Sequence, residues 1–274
     1  MTGLRRTPGL SLTAPPAPPA PPAPPASPVP PAPPASKLHS GVTLSIILAG
    51  EPVELLAERA LFWPAASTLI VADLHWGKAA SFRAAAIPVP RGTTTADLAR
   101  LDRAIARTHP RRLLVLGDLL HAPAAQEARA TLGRIREWRR SHADLQVLLI
   151  RGNHDLRSGD PPADLDIRAV NGFAEGPFVF RHHPEPPNEG YGLAGHLHPS
   201  VRLSGPGGDR VRLPCFHFGR RSGILPAFGS FTGTATPPLE PGDRVYVVAD
   251  GEVVAVPGLV RAGSTGLPSA GTRE

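Results

Sequence analysis

The chain has 274 residues and 41% hydrophobic content, enough for at least one sizeable core and too much for a chain disordered throughout. Its formal net charge is +6, but Arg5, Arg6 and Lys37 are the only charges before residue 40, so the remainder carries a mild basic excess that is compatible with a phosphate-bearing partner without defining one. Cys215 is the single cysteine, which excludes an intramolecular disulfide and a thiolate cluster and leaves His, Asp, Glu and Asn as the available metal ligands.

Residues 14–35 read APPAPPAPPAPPASPVPPAPPA, which lacks the amide donors for a helix ladder and the large side chains for a core. Residues 1–40 are therefore expected to be an extended Pro/Ala-rich tail serving as a spacer, 41–261 the folded domain and 262–274 a shorter flexible tail. The N-terminus passes from LRRTPGL directly into proline, and no apolar run approaches the ~20 residues needed to cross a bilayer, so the chain reads as soluble and cytoplasmic, with no cleaved signal and no membrane partner. Within the domain, TLIVAD is read as a strand, and TTTADLARLDRAIARTH as a helix with Thr hydroxyls available as caps and Leu98, Leu101 and Ile105 on one face. RRLLVLGD is the next strand, AQEARATLGRIREWRRSHA the next helix with Leu132, Ile135 and Trp138 at helical spacing, and LQVLLI a third strand. Such alternation implies parallel strands with crossover helices, and in these sheets ligands gather outside the carboxyl ends of the strands. From Phe178 onward, FVF, YGLAG, VRL, DRVRLPCFHF, ILPAF and RVYVVADGEVVAV are short strands, the last a hairpin across Asp250 and Gly251.

Polar clusters fall at the strand ends. Asp73 and His75 follow the first strand, with side-chain alternation placing both on one side of an extended backbone; Asp118 and His121 follow the second, after Gly117; Asn153, His154 and Asp155 follow the third. His182 and His183 follow FVF, and His196 and His198 follow YGLAG, where alternation again puts both rings on one face. Singly, each is explained by a polar turn. Together, at one sheet edge, they predict a metal site built from nitrogen and oxygen ligands.

The ordered set Asp73-Leu74-His75, Gly117-Asp118, Gly152 to Asp155, His182 and Gly195 to His198 resembles the calcineurin-like metallophosphoesterases over nearly all the residues between the tails. The resemblance implies an α/β fold, a four-layer α/β/β/α sandwich with two mixed sheets flanked by helices. It also implies two divalent metal ions: Asp73, His75 and His198 on one, Asn153, His182 and His196 on the other, Asp118 bridging them, and His154 beside the leaving group. Two such ions ~3.5–4 Å apart can share a hydroxide and clamp a phosphate during in-line attack. With no thiolate in the set, Mn²⁺ is the expected ion, with Fe or Zn as alternatives. Two departures stand out. Many members carry Asp three residues after the bridging Asp, where this chain has His121, which as a neutral ring would hydrogen-bond the catalytic His154 and as a charged one would contact phosphate; and the fourth motif reads His182-His183-Pro184, with His182 the better match and His183 the alternative.

ADLHWGKAASFRAAAIPVPRGTTTADLARLDRAI, LGDLLHA, GHLHP and LPAFGSFTG are similar to the bacterial ligase-associated DNA-damage-response endonucleases of the PdeM type. That likeness implies manganese-dependent cleavage of phosphodiesters in DNA, beside a DNA ligase and a helicase. Lys78, Arg83 and Arg91 are candidate substrate contacts, with solvated surface charge the other reading of the two arginines, and Trp76 is either a lid or core packing. A phosphoesterase for nucleotides or cyclic nucleotides is the alternative enzyme; a non-catalytic scaffold is less compatible with a complete ligand set.

Overall fold

The computed structural model describes residues 43–84, 86, 87, 89, 92–121, 129–204, 208–230 and 232–257. Both expected tails therefore lie outside the described residues, as do Arg91 and the first residues of the expected second helix.

Three strands that the sequence reading passed over open the domain: β1 (Thr43–Leu48), β2 (Glu51–Leu56) and β3 (Ala60–Trp63). They run antiparallel, the first two joined across Ala49 and Gly50, whose φ values of 52° and 87° match a two-residue hairpin turn. β4 (Thr68–Val71), β5 (Arg112–Leu116), β6 (Gln146–Ile150) and β7 (Ile167–Val170) then pair in parallel, giving a seven-stranded mixed sheet in the order β1 to β7. Between β4 and β5 come α1 (Lys78–Ala84) and α2 (Thr93–Thr108); α3 (Arg129–Ser141) precedes β6, and α4 (Asn153–Ser158) follows it. The expected Thr cap of α2 is not formed: the cap residue is Gly92, and Thr94 Oγ1 instead accepts the Gly77 N–H at 3.5 Å.

The second sheet runs β15-β14-β12-β13-β10-β9-β8, with β8 (Phe173–Glu175), β9 (Phe178–Phe180), β10 (Tyr191–Ala194), β12 (Arg210–Phe218), β13 (Ser222–Ile224), β14 (Arg244–Ala249) and β15 (Glu252–Ala255). β11 (Ser200–Ser204) pairs with β12 off this path. Asp250 and Gly251, both at positive φ, make the expected turn of the last hairpin. The expected strand ILPAF is only in part a strand: β13 ends at Ile224, and Ala227 forms an isolated bridge to Ala72.

Alternation explains why β4 to β6 read as continuous apolar runs. Ile70, Leu114, Leu116, Leu148 and Ile150 face the second sheet, where Phe178, Phe180, Leu193, Phe216 and Phe218 complete the inter-sheet core. Leu69, Val71, Leu113, Val115, Val147 and Leu149 face the other way and are covered by Leu98, Leu101, Leu132, Ile135 and Trp138 of α2 and α3. Side chains of this kind, fully buried, each contribute about 1.5–3 kcal/mol. Two mixed sheets flanked by helices is the architecture expected, and it leaves the ends of β4, β5, β6, β9 and β10 at one edge.

Candidate metal centre

The expectation of extended backbone at this edge is corrected. Asp73, His75, Asp118, His196 and His198 all lie in the left-handed region, with φ of 53°, 47°, 53°, 69° and 48°. Each costs about 1–2 kcal/mol for a side-chain-bearing residue, and persists because the surroundings fix it. The Asp73 N–H donates to Gly117 O (3.2 Å), His75 N–H to Asp118 O (2.9 Å) and Trp76 N–H to Leu119 O (2.9 Å), so the loop after β4 is laced to the loop after β5. Asp155 is buried at 2% exposure, and its carboxylate accepts the N–H groups of Gly152 (2.8 Å), Asp118 (2.7 Å) and Leu119 (3.0 Å), clamping the ends of β5 and β6 together. A Cβ at Gly117 would lie 2.1 Å from His182 Nδ1, and one at Gly152 would lie 2.2 Å from Asp118 Oδ1, so neither position has room for a side chain.

Two clusters result. In the first, His75 Nε2 and His198 Nε2 face each other at 3.3 Å, with Asp73 Oδ1 3.5 Å from His198 Nε2 and Asp118 Oδ2 3.8 Å from His75 Nε2. In the second, His182 Nε2 lies 3.0 Å from Asn153 Oδ1, 3.1 Å from His196 Nδ1 and 3.5 Å from Asp118 Oδ1. The two oxygens of Asp118 thus turn toward different clusters. His183 is exposed and its ring lies tilted at 58° against His196, with centroids 4.2 Å apart, whereas His182 is 3% exposed and directed at Asn153 and Asp118.

Three histidines have a fixed tautomer. His182 Nδ1–H donates to Leu116 O (3.0 Å), His198 Nδ1–H to Gly233 O (2.9 Å) and His154 Nδ1–H to His121 O (2.7 Å), each leaving Nε2 as the free lone pair or second proton site. Burial first, and then the neighbouring His198 and Lys78, push His75 down to about 2, so its ring is neutral at neutral pH, the form in which an imidazole can bind a cation. Burial lowers His196 as well, with His182 and His183 adding to the effect. For His198, burial acts downward but the nearby Asp73 carboxylate, 3.5 Å away, outweighs it, and the ring lies above its ordinary value.

These groups fit cations. Asp73 Oδ1 is buried without a hydrogen-bond partner, and imidazole lone pairs facing each other at 3.3 and 3.1 Å have the separation of two ligands on one ion with ~2.0–2.1 Å bonds. His121 meets neither earlier expectation through its side chain: its carbonyl, not its ring, holds His154, while its ring stacks on His154 at 4.8 Å with Phe82 at 6.0 Å from it. Burial and then Lys78 push His121 down to about 4, so its ring is neutral at neutral pH. Lys78 opens α1 and senses both Asp118 and Asp73, though burial holds it below the ordinary lysine range. Arg83 instead lines a cavity of about 320 Å³ with Thr93, Thr94, Thr95 and Arg134, apart from every expected ligand. Trp76 is core, 2% exposed and edge-on to Trp138.

A two-sheet sandwich with such a cluster at its strand ends fits a metal-dependent hydrolase, and the comparisons with known proteins give its class as a hydrolase of phosphoric esters. The profile of the calcineurin-like phosphoesterases matches residues 66–230, and the chain belongs to that family. The crystal structure of Pseudomonas putida nuclease MPE is 42% identical, with a TM-score of 0.69, over 78% of this chain and 100% of that one. Yfce, a phosphoesterase from E. coli, is 13% identical over 69% of this chain and 96% of that one, with a TM-score of 0.36. No curated protein matches.

Proposed function

We propose that the chain is a dinuclear phosphodiesterase that cuts DNA, an endonuclease of the PdeM type acting in repair, with manganese as its ion and a DNA ligase and helicase as functional associates in the cytoplasm. The observation that carries the dinuclear reading is the orientation of Asp118, whose Oδ1 and Oδ2 turn toward separate nitrogen and oxygen clusters. The likeness to a nuclease supports the substrate class. Bound there, two divalent ions would supply Lewis acidity toward a phosphodiester and a lowered pKa for water.

The chain's own groups divide the remaining tasks. Asp73, His75 and His198 would hold one ion, Asn153, His182 and His196 the other, and Asp118 both. His154 donates its main-chain N–H to Asp118 Oδ1 (2.9 Å), while its ring stands apart, with the side chain 29% exposed and Nε2 4.0 Å from Asp118 Oδ2. With Nδ1–H committed to the His121 carbonyl, Nε2 is the group that, in the protonated ring, delivers its proton to the departing oxygen and is left with a lone pair. Lys78 offsets charge on the phosphate. Residues 1–40 act as a spacer outside this machinery.

The test compares the purified protein on single-stranded DNA, duplex DNA and a small chromogenic diester, before chelation, after it and after Mn²⁺ is restored. Cleavage of DNA that chelation abolishes and Mn²⁺ restores is the expected result. Rapid hydrolysis of nucleotides without any cleavage of oligonucleotides would instead establish a small-molecule phosphoesterase.

A further inference from the structure

β11 begins two residues beyond His198 and pairs antiparallel with β12, with Arg202 directly opposite Arg212 and Ser204 opposite Arg210. Since side chains alternate, the other face of this pair carries Val201, Leu203, Val211, Leu213 and Cys215. Val201 and Cys215 are buried with Val245 and Val247 on the second sheet, and Leu203 and Leu213 pack against them. The hairpin is thus seated by its apolar face and displays a cationic one.

Arg202, Arg210 and Arg212 are all exposed. Like charges directly opposite each other in a strand pair are destabilising, and among the described residues none of the three forms an ion pair, the arginine pairs being those of Arg100, Arg107, Arg112, Arg136, Arg139 and Arg151. No ion pair among the described residues therefore offsets the repulsion within the cluster. Arg212 Nη1 donates to the carbonyl (3.3 Å) and hydroxyl (3.0 Å) of Thr234, and the adjacent Gly233 carbonyl is the acceptor that fixes His198. The cationic face starts at the rim of the metal centre and leads away from it.

We propose that this face binds the phosphodiester backbone of a nucleic-acid strand running out of the centre past His198, with Arg202, Arg210 and Arg212 on phosphates flanking the scissile one. The proposal rests on the nuclease reading and adds the surface that would hold the polymer. Guanidinium groups pair with phosphate through parallel N–H donors, and such contacts fix a strand's position without reading its sequence.

The test uses the full chain, a labelled single-stranded oligonucleotide and bis(p-nitrophenyl) phosphate, with the double variant Arg202→Ala/Arg210→Ala, which leaves Arg212 and its Thr234 bonds in place. Removing two phosphate contacts from a single strand should reduce the salt dependence of binding by about 1.4 in log–log slope, so that between ~50 and ~200 mM salt the wild type loses roughly sevenfold more affinity than the variant. The ratio of oligonucleotide to small-diester kcat/KM should fall, and Arg202→Lys/Arg210→Lys should restore the salt slope because the charge is restored. An unaltered slope in the alanine variant, or equal losses on both substrates, overturns the assignment while wild-type DNA cleavage still upholds the nuclease reading. Polyglutamate displacing the oligonucleotide as well as unlabelled DNA does would overturn it in favour of an acidic protein partner. Wild-type protein that cuts the small diester but no oligonucleotide overturns the nuclease reading, and this one with it.

Discussion

The side chains gathered at the centre come from two halves of the chain, and the halves hold them by different means. Asp73, His75 and Asp118, from the ends of the parallel strands, sit on loops laced to one another by main-chain hydrogen bonds and by the three N–H groups that converge on Asp155. His182 and His198, from the second sheet, are held by their own rings, through Nδ1–H bonds to the carbonyls of Leu116 and Gly233. One half fixes positions through backbone, the other fixes orientation and tautomer through side chains. The difference teaches where each half is vulnerable: the first to steric change, the second to loosening of the segments that present the carbonyls.

Chelation or loss of Asp118 should have the largest effect, since the two oxygens of that carboxylate face both clusters. Asp118→Asn is expected to lose more turnover than any single change among Asp73, His75, Asn153, His182, His196 and His198, measured as kcat on a small diester. His154→Ala should follow, retaining metal but losing about 10²–10⁴-fold in rate, the range for a positioned acid or base. Full activity in the alanine variant would remove His154 from the chemistry.

Gly152→Ala probes the first half. Its Cβ would meet Asp118 Oδ1 at 2.2 Å, and overpacking of this kind costs about 1–3 kcal/mol, so a lower Tm and weakened metal binding should appear together. Asp97→Asn probes the second. Asp97 accepts from Ser230 N–H (3.1 Å) and Arg100 Nη2 (2.7 Å), anchoring the segment that leads to Gly233; freeing it should weaken metal binding by about 10–100-fold, the usual effect of disturbing the groups that orient a ligand. A Tm loss without any change in metal affinity would show that this segment does not support His198. The smallest effect is expected at Cys215, buried at 1% and with its thiol pushed up to about 12 by burial: a thiol reagent at neutral pH should modify it only after unfolding.

The parallel core was readable because β4, β5 and β6 are apolar on both faces, and the order of strand-end motifs pointed to one edge. β1 to β3 were passed over because their turn, Ala49-Gly50, lacks the Asn or Asp that marks such hairpins. The left-handed backbone at five of the seven expected ligands was hidden as well, since it follows from tertiary hydrogen bonds and not from local preference. His121 holds His154 through an atom that every residue possesses, so its residue type could not announce that role. The three arginines of the β11–β12 face looked like diffuse charge until the pairing register brought them together.

The central claim, two cations joined through Asp118, is tested most directly by counting bound Mn²⁺ per chain in the wild type and in Asp118→Asn at equal free metal. The account predicts two ions in the wild type and weakened binding of both in the variant. Two ions held as tightly in Asp118→Asn as in the wild type would contradict it.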